Sequence, residues 1–548
     1  MSLPDSNTTW PPKPFDDLIA SIAEQQVWWE GIPEGLANYY GQGQARRKSA
    51  GFDLGGIGVK VFWGKKDTQQ HVTSRLHLPI PADICATSAN LLFADGPKFL
   101  IPDLTTTPEA TDANPEPEPV VDPVKQAAQE RVDRILNTPN MHAAFLVAAE
   151  TCAALGGVWP RIVWDAELTK NAFIDFVDPD RAIPEFKWGR LQAVTFWSEL
   201  PSTDKAVWRH LERYEAGKIW HGLYKGTDDH LGRVMALDDH AATAKIKLGS
   251  FGFIATGSDS IAAGYIPNQL PNPAWRLVPA LRHLGRSDIS DDLLGLFDQI
   301  DEAYSSLMRD LRLGRARAFV SENFTKVGKA GQGASVDNDR ELYQVLANAP
   351  GKDGTSSGFF EVKQFEIRVD EHLRTIDALT REVLRRVGYS PLTFGLSEGN
   401  SAATATEITA KTTASNSTRT AKHRLWGNTL TRLSRTLLEI DAAQFSTGVT
   451  VDEDLQIQWP PVRESAYNRS LTAKALREAK AASTETIVAL VNPDWDSEAV
   501  KAETERILNE DRMTFADPFG MPPDRNPNDM TDPSESGGSE IEIGDDEE

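Results

Sequence analysis

Few of the residues able to do chemistry stand at spacings that would let them act together. Gly55, Gly56, Gly58 and Lys60 bring the ingredients of a phosphate-binding loop. The Gly-Lys-Ser/Thr order is missing, however, and the flanking Val59, Val61, Phe62 and Trp63 read as a strand. Asp178-Pro179-Asp180 offers two carboxylates to a divalent cation, but after an apolar run such a triplet is expected to form a turn. His210, His221 and His372 show no ligand spacing, so structural or surface roles are expected for them. Cys85 and Cys152 stand alone among apolar or small residues, as buried thiols of a reduced compartment do. There is no His-Glu-x-x-His, Walker lysine loop or Cys-x-x-Cys pattern. The expectation is therefore no catalytic residue, no metal ligand and no cofactor.

The densest cluster of charge is basic. Arg419, Lys422, His423, Arg424, Arg432 and Arg435 share a segment with Leu425, Trp426, Leu430, Leu433, Leu437 and Leu438. Two readings stay open: a face that grips phosphate, or one that pairs between subunits with Glu407, Glu439 and Asp441. The whole chain carries a net charge of −23, which argues against a sequence-reading DNA binder. It does not argue against DNA as a passenger, because a wall past which a polyanion slides is best left weakly attractive or repulsive. From Asp524 to Glu548 there are ten acidic residues and one basic; this tail is expected to be disordered.

At 548 residues the chain should hold three or four structural regions of about 100 to 200 residues each. No stretch reaches the roughly 18 to 20 apolar residues of a membrane helix, and the start lacks a signal-peptide pattern, so a soluble, intracellular protein is expected. Leu18, Ile19, Ile22, Ala23 and Val27 recur at helical spacing until Gly31 and Pro33. Residues 105–123, with Asn114-Pro115-Glu116-Pro117-Glu118-Pro119, read as an exposed loop. A helix is expected through Val132, Ile135, Leu136, Phe145 and Leu146, interrupted near Pro139 and ended by Gly156-Gly157. Short aromatic and β-branched runs from Val158 to about Tyr265 predict a β-rich region, with Glu215-Ala216-Gly217 as a hairpin turn.

The period then turns helical again. Leu293, Phe297, Ile300, Tyr304, Leu307 and Leu311 alternate in steps of four and three, the stripe of a helix lying nearly parallel to its neighbours. Ser287-Asp288 and Ser290-Asp291 offer caps at its start. After a polar, Gly-rich excursion, Val369, Leu373, Ile376, Thr380, Val383 and Val387 repeat the pattern up to Gly388-Tyr389-Ser390-Pro391. A loop from Leu392 to Asn400, a long helix, a strand at Leu455 to Trp459 and helices at 465–482, 483–491 and 496–510 complete the reading.

Several segments, taken in order, resemble the portal proteins of long-tailed phages, especially those of actinobacterial hosts. They are Leu78-Pro79-Ile80-Pro81-Ala82-Asp83-Ile84 through Ser88-Ala89-Asn90-Leu91-Leu92-Phe93, and Val177-Asp178-Pro179-Asp180-Arg181-Ala182-Ile183-Pro184-Glu185-Phe186. Gly285-Arg286-Ser287-Asp288 and Ser390-Pro391-Leu392-Thr393-Phe394-Gly395-Leu396, before Ala402-Ala403-Thr404-Ala405-Thr406-Glu407-Ile408, complete the set. None is a catalytic motif, and the specificity lies in their number and order.

The resemblance implies an α+β, mainly helical portal fold with a β-rich wing, two-helix stem, small α/β clip and helical crown, assembled as a ring. It implies a wing over 1–284, a first stem helix over 285–317, a clip over 318–361, a second stem helix over 362–387 and a tunnel loop over 388–402. A long helix and returning wing strand would span 403–464, a crown 465–515 and the acidic tail 516–548. The residues implied at the DNA channel are Leu392, Thr393, Phe394, Gly395, Leu396, Ser397, Glu398, Gly399 and Asn400; those implied in clip docking are Phe319, Phe324, Lys326, Tyr343, Phe359 and Phe360. Stem packing falls to the two stripes. The implied partners are identical subunits in a ring of twelve, double-stranded DNA passing non-specifically, the terminase large subunit, a head-completion or adaptor protein, and major capsid and scaffold proteins. No membrane is implied, and the setting would be the virion after assembly in the host cytoplasm. Another capsid or scaffold protein, or a metal-dependent nucleic-acid enzyme, are the competing readings.

Overall fold

The computed structural model describes residues 3–41, 62–64, 75–106, 120–202, 205–314, 317–321, 343–346, 360–363, 368–396, 405–449, 451–460 and most of 470–514. The chain divides into two units, Met1–Pro460 and Pro461–Glu548. The acidic tail, the phosphate-loop candidate at Gly55 to Lys60 and most of the Pro-rich loop lie outside the described residues.

The first unit opens with α1 (Phe15–Glu30), which ends where Gly31 takes a left-handed φ of 62°, and α2 (Pro33–Gly41). A 3-10 turn at Phe62–Gly64 replaces the strand expected around Phe62 and Trp63. The reason is tertiary: Trp63 is buried and donates its indole N–H to Asp301 at 3.2 Å, while the Phe62 amide donates to Asp298 at 2.8 Å. Then come α3 (Ile80–Phe93), β1 (Lys98–Leu100), the short pair β2 (Thr105–Thr106) and β3 (Val120–Val121), α4 (Pro123–Ile135) and α5 (Pro139–Leu155). The break between α4 and α5 falls where Pro139 predicts it, and Thr138 caps α5 through its hydroxyl.

β4 (Gly157–Val163), β5 (Phe173–Val177), β6 (Ala182–Lys187), β7 (Arg190–Leu200), β8 (Val207–Glu215), β9 (Lys218–Thr227), β10 (His230–Met235), β11 (Phe253–Ala255) and β12 (Ile266–Pro267) form the β-rich region. Its main sheet runs β10-β9-β8-β7-β6 antiparallel, with β11 added to β9; β12-β4-β5 forms a second sheet. The N-terminal segment pads one face of the main sheet, where Trp10, Leu211, Tyr224 and Leu231 form a separate small core.

The two striped segments become α6 (Asp291–Leu313) and α7 (Val369–Val387). They run antiparallel: Asp310 near the end of α6 meets His372 near the start of α7 at 3.1 Å, while Arg386 near the end of α7 donates to the Asp292 carbonyl at 3.4 Å. Between them lie β13 (Arg317–Ser321), β14 (Tyr343–Leu346) and β15 (Phe360–Lys363), a sheet of order β14-β13-β15 with one parallel and one antiparallel pairing. α8 (Ala405–Phe445) follows, 41 residues and so about 60 Å long. β16 (Gln456–Gln458) returns to pair with β1.

One apolar core joins α1, α3, α5, the second sheet, α6, α7 and α8. At its centre the Phe93 ring stacks on Phe145 at 5.5 Å and meets Trp426 of α8 edge-on at 4.7 Å. Cys85 and Cys152 are buried free thiols, and burial raises the pKa of both. No helix among the described residues is long and apolar enough to cross a membrane. The second unit contains helices at Thr484–Val491, capped by Ser483, and Ser497–Thr514.

A candidate stem joint with a buried ionic hub

The two stripes do not have one fate. On α6, Leu293, Phe297, Ile300 and Leu307 are buried within the chain, as are Val383 and Val387 on α7. Towards the far ends the apolar residues open: Leu311 is 39% exposed and Leu373 50% exposed, with Tyr304, Val369 and Ile376 half-buried. The helix pair is thus rooted in the core at one end and leaves apolar side chains uncovered at the other.

The segment expected as a loop from Leu392 begins as a structured turn. Pro391–Phe394 forms a 3-10 turn started by Ser390, whose hydroxyl accepts from the Leu392 amide at 3.3 Å, and closed by Gly395 at a left-handed φ of 73°. Ser415 of α8 accepts from the Ser390 amide at 2.9 Å and shares a hydrogen bond with Thr393 at 2.8 Å. Thr418, one turn further on, donates to the Gly388 carbonyl at 2.7 Å. Phe394 and Leu396 rest against the core, and Gly395 is exposed. Ser397, Glu398, Gly399 and Asn400 lie outside the described residues, as do Phe324, Lys326 and Phe359. Phe319, Tyr343 and Phe360 stand on β13, β14 and β15, and the register puts Phe319 beside Gln344 and Glu361.

Beneath the turn sits an ionic hub. Lys422 of α8 donates to Asp288 at 2.6 Å, Ser88 of α3 at 2.7 Å and Tyr389 at 3.0 Å, which uses all three of its hydrogens. The other Asp288 oxygen accepts from Asn268 at 2.7 Å and Gln269 at 2.8 Å, and the Tyr389 hydroxyl adds a fourth bond at 3.3 Å. The Asp288 side chain is wholly buried, and that of Lys422 is 3% exposed. Burial works against the Lys422 charge, but Asp288 and Tyr389 outweigh it, and the lysine pKa is raised. Burial raises that of the Tyr389 hydroxyl, with the Asp288 charge acting in the same direction. The hub thereby ties the entry to α6, the exit from α7, α3 and α8 at one point.

This corrects two expectations. Asp288 is no helix cap: it points into the hub, and Ser290, though at the cap position, makes no side-chain capping bond and turns to Asp292 at 2.7 Å. Several of the basic residues of α8 have partners within the chain. Arg419 donates to the Leu91 and Pro460 carbonyls, Arg435 pairs with Glu439 at 3.0 Å, and Asp441 takes a two-point bond from Arg131 at 2.7 and 2.9 Å. His423 stacks on Trp459 at 4.2 Å, and burial lowers its pKa to about 4. Arg424 and Arg432 stay exposed.

Asp178-Pro179-Asp180 is the turn expected, a 3-10 start with Arg181 3.2 Å from Asp180. Two of the histidines come together across a hairpin. His210 and His221 stand together with Glu212 on one face of the β8–β9 hairpin, their ligand atoms within 4.8 Å of one another. The Glu215-Ala216-Gly217 turn contained the signal, since a hairpin closed there sets Glu212 opposite His221.

The fold is thus an antiparallel helix pair rooted in an α+β body, with its joint held by a buried ion pair. The chain belongs to the phage portal protein family, SPP1 Gp6-like, which matches residues 37–515. No curated protein matches it. Among solved structures it is similar to a chain of the "Neck of empty GTA particle computed with C6 symmetry", at 13% identity and a TM-score of 0.35, over 77% of this chain and 92% of that one.

Proposed function

We propose that copies of this portal protein assemble as a ring, with α6 and α7 as the stem around a DNA channel at a capsid vertex. The turn and loop after α7 lie at the narrowing, and the β13–β15 region is where the packaging terminase and later the head-completion protein dock. One observation carries the reading: the stripes are satisfied by the chain's own core at one end and uncovered at Leu311 and Leu373. A ring supplies identical neighbours on both sides and leaves no open end. The acidity of the chain and the internal pairing of Arg419, Lys422 and Arg435 fit a wall that lets DNA pass without holding it.

Face-on electron microscopy and mass measurement of the purified chain test this. The expected result is a discrete ring that Leu311→Glu with Leu373→Glu converts to folded monomers. A wild-type chain that stays monomeric under assembly-promoting conditions, or rings indifferent to both substitutions, overturns it.

A further inference from the structure

The β8–β9 hairpin holds a group of side chains that the portal reading does not use. In the ladder Glu212 pairs with His221, and His210, two residues before Glu212, projects to the same face. The His210 and His221 rings stack at 5.3 Å with an interplanar angle of 11°, and His210 Nε2 lies 3.1 Å from His221 Nδ1. Glu212 Oε1 is 3.5 Å from His210 Nδ1, and its other oxygen is held by Arg161 at 2.5 Å. Arg161 is itself fixed to Asp175 at 2.9 Å.

We propose that His210, His221 and Glu212 bind a first-row divalent transition ion of the Zn²⁺ class. Two nitrogens about 3 Å apart match two ligands of one tetrahedral ion, whose bonds to histidine are roughly 2.0 to 2.1 Å. Two imidazoles and one carboxylate form a donor set for such an ion, not for the all-oxygen shells of Ca²⁺ or Mg²⁺. The ring that donates the shared hydrogen bond moves its proton to its outer nitrogen when the ion takes its place. Arg161 on the far oxygen of Glu212 orients the carboxylate, as groups hydrogen-bonded behind metal ligands do. A cleft of about 400 Å³ reaches His210 and Glu212 past Asp175, Asp178 and Glu199, which gives the ion a way in and room for water as the fourth ligand. The ion would clamp β8 to β9 and stiffen this sheet.

The full chain, stripped with chelator, is titrated with Co²⁺ and followed by its visible d–d absorption, with Zn²⁺ then added as competitor. Saturation at a single ion per chain and displacement by Zn²⁺ are expected. His221→Ala and His210→Ala should abolish the bands, His372→Ala should leave them intact, and Glu212→Gln should weaken affinity by at least about 10-fold. Circular dichroism of each apo variant separates loss of ligand from loss of fold, and Glu212→Gln serves where a histidine variant fails to fold. Absence of bands, or bands unchanged by His221→Ala and Glu212→Gln, overturns the assignment and leaves a histidine pair held by its hydrogen bond alone.

Discussion

Replacing Lys422 by Met removes the cation of the hub while keeping the aliphatic stem that packs beside Tyr389. Asp288 is then left with Asn268, Gln269 and Tyr389 as donors and no counter-charge, in a site with no exposed side-chain surface. Breaking one side of a buried ion pair costs about 3 to 5 kcal/mol. Because three neutral donors remain, the lower end applies, about 3 kcal/mol, or roughly a 150-fold shift in the unfolding equilibrium at 1.4 kcal/mol per factor of ten. Asp288→Asn should cost a similar amount by stranding the ammonium. The double variant should cost clearly less than the sum, since it buries no unpaired charge. Urea unfolding followed by Trp fluorescence gives the free energies, and hydrogen exchange across 388–396 shows whether the turn loosens first. The raised lysine pKa sets the sign of the pH dependence: the stabilisation is complete below the ordinary lysine range and is lost only as pH rises through the higher folded value. A cost under about 1 kcal/mol for Lys422→Met, or strict additivity in the double variant, would refute a dry, mutually dependent hub.

Other predictions follow from single groups. Burial raises the Asp298 pKa to about 6, against the donated Phe62 and Trp63 amides, so ionisation opposes folding and stability falls as pH rises from about 4 to 6. Asp298→Asn should therefore raise the melting temperature at pH 8 and flatten that slope in a thermal scan series. His423 has the opposite sign: neutral when folded and protonated below about 6.5 when unfolded, it makes stability fall as pH drops from there towards 4. Its ring resonances should show no titration in NMR between pH 5 and 8, and His423→Phe should weaken the acid dependence. At Gly395 an added methyl meets nothing within 4 Å, so Gly395→Ala is opposed only by the left-handed backbone, at about 1 to 2 kcal/mol. Faster amide exchange confined to 390–396, with the global midpoint nearly unchanged, is the expected readout.

What could be read from the residues alone was whatever depends on near neighbours along the chain. The four-and-three stripes become α6 and α7 because helical periodicity is a local property, and Pro139 and Gly156 end elements through their own backbone restrictions. The Phe62-Trp63 error has the opposite origin, for a short apolar run forms a strand or a turn according to what covers it, and here the cover is Asp298 and Asp301 on a distant helix. Local spacing likewise left α8 undecided, because the partners of Arg419 and Lys422, at Leu91 and Asp288, are invisible to any short window.

The hub was hidden for the same reason, although its pieces were in view. Ser88, Asp288 and Tyr389 lie within or directly beside three of the segments on which the portal resemblance rested, and in the fold they meet on one lysine. A buried pair whose every donor and acceptor is satisfied adds less to stability than it does to uniqueness of arrangement, because any shift of one helix leaves a charge unmatched. The joint between α6, α7 and α8 is therefore expected to move as a unit or not at all. That links the turn after α7 to the base of α6, since a shift that reaches Tyr389 also disturbs Asp288. Amide exchange supplies the check, since Lys422→Met should loosen the first turn of α6 and the turn after α7 together, and loosening of only one would break the link.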